Sequence, residues 1–187
     1  MTAKPVLAAA IVALSLSGCS TTMGEQGSTA QGRSAGGIAT AAADMTPEAA
    51  LPYVAMAAAS DLYEIQSSQL HHERGESPQL HAFAQMMIDH HTKTTQATTA
   101  AARAAGLTPP PPSLMPMQQE MITRLQGLNG AEFDREYARQ QLAAHEMALA
   151  LHENYASAGD TPSLKTSATA AVPIVRQHLT QVRGMQS

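Results

Sequence analysis

Ser77-Pro78 and Thr161-Pro162 each stand just behind a glycine, Gly75 and Gly159, and each opens a long run of helix-forming residues. Proline is accepted in the first turn of a helix, where its missing N–H has no partner to lose. Glycine closes helices because it turns the chain without a side-chain penalty. The two signals therefore mark two helical hairpins with short turns. The first hairpin is expected to begin near Leu51, behind Thr46-Pro47-Glu48, turn at Gly75 and end at Gly106. The second covers about Ala131 to Ala158, turns at Gly159 and runs from Pro162 to Gly184, with a kink expected at Pro173. The prevalence of Ala, Leu, Met and Gln, with only 3% aromatic residues, agrees with helix throughout.

Between the hairpins lie 25 residues, Gly106 to Gly130. Pro109 to Pro112 forbid helix at their start, and Leu114 to Leu128 read as a short helix of their own. A chain running simply up and down needs no such connector, whereas one that must reverse direction between its hairpins does. The expectation is an all-α domain over residues 46–187: four long helices in two hairpins, joined by a crossover that contains a short helix.

The N-terminus reads differently. Lys4, the apolar run Val6 to Leu16 and then Leu16-Ser17-Gly18-Cys19 resemble a bacterial lipoprotein signal with its lipobox. That run is too short to span a bilayer, which takes about 20 apolar residues. By this resemblance residues 1–18 are removed and Cys19, the only cysteine, becomes the lipidated terminus. An ordinary secretory signal cut nearby is the alternative. Ser20 does not look like an inner-membrane retention signal, so the expected location is the periplasmic side of the outer membrane. Residues 19–45, rich in Gly, Ser, Thr, Ala and Gln without apolar periodicity, read as a flexible tether. The formal charge of −4, with no basic run, argues against a nucleic-acid partner and leaves the lipid as the expected membrane contact.

Chemistry is suggested by one residue on each long helix. His91 falls on the apolar stripe Leu80, Phe83, Ala84, Met87, Thr94; His145 on Leu142, Leu149, His152; His178 on Ala171, Ile174, Val175, Val182. Glu64 borders the stripe Val54, Ala57, Asp61, Ile65, Ser68. His90 is turned about 100° from His91 and reads as outward. Glu64 lies 14 residues before Pro78 and His91 13 after it; His145 lies 17 before Pro162 and His178 16 after it. Within each hairpin the two groups are therefore level to about one residue rise of 1.5 Å. An ionised carboxylate inside a helical domain needs a partner, and three imidazoles with a carboxylate suit one zinc, copper, iron or nickel ion better than calcium or magnesium. Core histidines satisfied by hydrogen bonds, with Glu64 paired to an imidazolium, are the alternative. No Glu-x-x-His occurs, which argues against a di-iron carboxylate centre.

Other clusters are weaker. Met115, Met117 and Met121 suit copper(I), though methionine more often fills gaps. His71, His72 and His81 sit near the first hairpin turn, where cationic histidine suits a helix end. His152, one heptad from His145, reads as a satellite ligand or a packed imidazole. The four tyrosines are expected to cover the core with their hydroxyls near its edge. No nucleophile elbow, phosphate loop or cysteine pair supports nucleophilic or nucleotide chemistry.

Pro47 to Gln186 resembles the ferritin-like family of domains of unknown function numbered 4142. The matching residues are Glu64-Ile65, Leu70, the segment Ser77 to Met87, Asp89, His91-Thr92, Ala131 to Tyr137, His145-Glu146, Leu149, Pro173 and Arg176 to Leu179. The family commonly carries an acidic residue where this chain has His90. The resemblance implies a ferritin-like four-helix bundle in the cell envelope and supplies no reaction. Three functional readings remain open: an envelope protein binding one transition metal, a structural or interaction protein, and a mononuclear metalloenzyme.

Overall fold

The computed structural model describes residues 47–186; the expected signal, Cys19 and the tether to residue 45 lie outside them. The described residues form five helices and no strand: α1 Ala50–Arg74, α2 Pro78–Ala104, α3 Pro116–Gln126, α4 Gly130–Ala158 and α5 Pro162–Arg183. No helix among them is long and apolar enough to cross a membrane.

The ends of these helices follow from local chemistry. Ala49 holds the cap position of α1 without a side-chain bond, and regular structure begins at Ala50, one residue from the expected start. Ser77 caps α2 by accepting the Leu80 amide, with Pro78 in the first turn. α2 closes through Gly106 at φ 75°, where the Leu107 amide reaches back to the Ala102 carbonyl. This left-handed turn favours glycine. The short helix is two residues shorter at each end than its pattern suggests, because Gln118 folds back to accept the Met115 amide and starts the helix at Pro116. α5 continues through Pro173.

Each long helix packs on two others: α1 on α2 and α4, and α5 on α4 and α2. Side-chain partners fix the directions. Tyr53 meets His152 while His71 meets Asp134, so α1 and α4 run antiparallel. Thr98 meets Ser167 while His90 meets His178, so α2 and α5 do as well. Asp61 with His91, and His145 with His178, sit in the middle of the two hairpins. Since α2 and α4 are each antiparallel to α1, they point the same way, and the connector has to carry the chain back along their length. Leu107 packs with Tyr53, Leu151 and Leu164 at one end, and Leu128 with Phe133, Leu80 and Val182 at the other.

The tyrosines differ in part from expectation. All four side chains are fully buried, and the hydroxyls of Tyr53, Tyr63 and Tyr137 lie inside the core, whereas that of Tyr155 reaches the exposed Asp160 at its edge as expected. Their hydroxyls meet His152, Gln140, Ser68 and Asp160. Buried hydroxyls need such partners; three of these bonds join α1 to α4, and the Tyr155 bond holds the turn that follows α4.

Gly75 is fixed by a tight approach. An added Cβ would lie 2.5 Å from Nε2 of His71 and 2.7 Å from Oδ1 of Asp134. Those two atoms are themselves bonded at 2.9 Å, and Asp134 is held by the amides of Glu76 and Ser77. Gly75→Ala should therefore lower stability by about 3 kcal/mol through overpacking and loss of that bond, read as a lower urea midpoint with unchanged slope.

Candidate metal centre

His91 on α2, His145 on α4 and His178 on α5 turn inward at the same height, all nearly inaccessible to solvent. One ligating atom from each lies within 4.8 Å of the others, close enough that the three could hold a metal ion. Nε2 of His145 stands 3.3 Å from Nδ1 of His178. A tetrahedral ion with bonds of about 2.0–2.1 Å sets its nitrogens roughly 3.3–3.4 Å apart, so this pair already has the required spacing.

Hydrogen bonds determine which nitrogen each ring offers. Nδ1 of His145 is 2.8 Å from the Gln141 carbonyl, which can only accept, so the proton is on Nδ1 and Nε2 carries the lone pair. Nδ1 of His91 donates to Asp61 at 2.7 Å, and its Nε2 is buried without a partner. Ligating histidines characteristically anchor their second nitrogen on a carboxylate or a backbone carbonyl in this way. His178 lies between two imidazoles, with Nδ1 toward His145 and Nε2 2.8 Å from Nδ1 of His90.

His90 is thus not an outward residue. The count of about 100° from His91 is sound, but that direction faces α5, so the ring is half-buried in the α2–α5 seam and stacks on His178 at 5.1 Å. The sequence reading also passed over Asp61. Besides His91 it accepts Thr94 and Thr95 hydroxyls at 3.0 and 2.8 Å. Its position one turn before Glu64, on the same face, was the available signal.

Glu64 is 1% exposed, and neither carboxylate oxygen has a hydrogen-bond partner among the described residues. It lies outside the convergent group of three histidines. Its Oε1 is 3.6 Å from Nδ1 of His145, the nitrogen already committed to Gln141. Burial pushes its carboxyl up to about 7, against the opposing pull of His91. For His91 itself burial opposes the charged form, but the hydrogen bond and charge of Asp61, with Glu64 behind them, outweigh burial and hold the ring above its ordinary value. Burial, reinforced by charge at His91, drives His145 down to about 3; burial and the neighbouring imidazoles drive His178 to about 2. Two rings therefore keep their lone pairs at any neutral pH, and the third sits among carboxylates that favour a cation.

The remaining candidates lie elsewhere. His152 is used by Tyr53, with burial lowering it to about 4. His71 binds Asp134, and His72 pairs with His81 at the surface. Beside the cluster, α2 and α5 flank an open cleft of about 520 Å³ lined by His90, Lys93, Thr98, Ser167 and Ile174 among others.

Residues 35–185 match the family model described as a domain of unknown function (DUF4142). No curated protein and no solved structure matches. Since that model spans most of the sequence, the chain belongs to the DUF4142 family.

Proposed function

We propose that this protein is a cell-envelope lipoprotein whose four long helices form a ferritin-like bundle, binding one transition-metal ion through His91, His145 and His178. Glu64 provides negative charge beside them and is the candidate fourth ligand. The lipobox-like Leu16 to Cys19 segment supports the anchor, and the antiparallel pairings with a returning connector support the bundle.

The observation that carries the metal reading is the orientation of two rings. His91 and His145 both spend Nδ1–H on fixed acceptors, leaving Nε2 for a shared partner, and Nε2 of His91 has none among the described residues. Core histidines serving only as packing would be expected to satisfy both nitrogens. Imidazoles favour zinc, copper, nickel or iron, and the cluster suits a single ion. Binding and buffering of that ion is the function this arrangement supports best.

The test is metal content and affinity of protein purified without a histidine tag, with His91→Ala and His178→Ala alongside. One equivalent in the wild type and at least a 100-fold weaker affinity in each variant are expected. Equal retention by all three would reject the site. An unfolding midpoint unmoved by chelator or by added metal would favour a purely structural protein.

The cleft against His90 favours a second reading, a mononuclear enzyme. Three protein ligands leave a coordination position open, as catalytic zinc sites do, and a small molecule in the α2–α5 cleft would lie next to His178's partner.

A further inference from the structure

Methionine is frequent here, 11 residues in all, and four of them share one location. Met56 from α1, Met147 from α4, Met115 capping α3 and Met121 within it line a single cavity of about 30 Å³ beneath the connector. Met117, which belongs to the same sequence cluster, points away and is 42% exposed. The convergence is thus tertiary: two residues of the connector meet two from helices separated by about ninety positions in the chain.

Gap-filling is the usual role of methionine, because an unbranched thioether adapts to irregular space. Met87 shows that role, fully buried within the core around Phe83 and Tyr137. Under the connector, Met56 and Met121 also pack on the core, yet packing does not exhaust the space. The four side chains line, with Ala144, Ala148 and Leu151, a volume left unfilled and large enough for one water-sized body. All four are half-buried, which leaves a short path from solvent.

The walls define what would enter. Among the described residues no charged group or imidazole lines the cavity; Ser60, Tyr63 and Gln118 are its polar members, and the Tyr63 hydroxyl and Gln118 carbonyl are engaged elsewhere. A divalent ion would lose its hydration with no anion to compensate it. Thioethers are soft, neutral donors that carry no proton to displace, and they select copper(I). We propose that Met56, Met115, Met121 and Met147 form a copper(I) site separate from the imidazole cluster. It shares no residue with that cluster, and its existence does not depend on the metal reading given above.

The test titrates the protein anaerobically with copper(I) against a chromophoric chelator, using silver(I) as the diamagnetic probe. Met→Leu nearly conserves volume while removing sulfur. Met115→Leu/Met121→Leu and Met56→Leu/Met147→Leu should each weaken copper(I) binding at least 100-fold, with the urea midpoint essentially unchanged. His91→Ala/His178→Ala should retain the copper(I) equivalent. Affinity should also stay flat from pH 7 to 5, where an imidazole site weakens by proton competition. Independently of any variant, silver(I) should shift the methyl resonances of Met56, Met115, Met121 and Met147 and leave those of Met87 and Met117 in place. The proposal is overturned if the wild type binds no copper(I), if the leucine variants bind it equally, if binding follows the histidine variant, or if silver(I) moves other methyls.

Discussion

Glu64→Met should make the metal-free protein more stable by about 3 kcal/mol at pH 8, and that gain should disappear by about pH 4.5. The carboxyl is raised from 4.5 to about 7 by burial, and each pKa unit corresponds to about 1.4 kcal/mol. The sign follows from proton uptake. Between pH 4.5 and 7 the folded chain holds a proton on Glu64 that the unfolded chain has lost, so stability falls as pH rises across that window. Below it the group is neutral in both states and this ionisation penalty vanishes; above it the full penalty stands. Methionine has similar reach and no charge, and an apolar replacement leaves no unpaired oxygen where Glu64 now has two. Urea unfolding of both proteins at pH 4.5, 6 and 8 isolates this term, because the other titrating groups cancel in the difference. With zinc added at pH 8 the advantage should shrink or reverse, since a nearby cation returns Glu64 toward its ordinary range. A difference between the two proteins that is constant in pH would show that Glu64 is not the strained group.

The fold and the site were legible to different depths. Helix starts at Pro78 and Pro162 and the stop at Gly106 are written in residues whose backbone chemistry acts locally, so they can be found without tertiary knowledge. The start of α1 was legible to one residue, near Leu51 against Ala50, although no side chain marks it: Ala49 holds the cap position without a side-chain bond. Heptad position and height found His91, His145 and His178, since both depend only on the 1.5 Å rise and the turn position. They could not find His90, because a direction on one helix has meaning only after its neighbour is placed, and α5 happens to stand there. They also could not separate Glu64 from the converging trio: being level does not determine which face of His145 a side chain meets. The methionine group was visible only in its connector half, since Met56 and Met147 gain relevance through folding.

Asp61→Asn should weaken metal binding 10- to 100-fold while leaving one equivalent bound. Asp61 is buried and accepts three donors: Nδ1 of His91 and the hydroxyls of Thr94 and Thr95. Asparagine keeps the volume but offers one acceptor oxygen, so at least one buried donor loses its partner, costing about 1–3 kcal/mol of stability. The effect on the ion has a separate origin. A carboxylate behind an imidazole raises its basicity and fixes its orientation, and loss of such support commonly costs 10- to 100-fold in affinity. Here Asp61 supplies the leading upward influence on His91, so in the asparagine variant the ring should titrate at lower pH than in the wild type, visible in the pH dependence of the ring nitrogen shifts. Thr95→Val distinguishes the two effects: it removes one hydroxyl from Asp61 while leaving its charge, so it should lower stability with little change in affinity. If Asp61→Asn bound metal as tightly as the wild type, His91 would not be a ligand supported by Asp61. The bond between them would then be a structural link between α1 and α2, as His71–Asp134 is between α1 and α4.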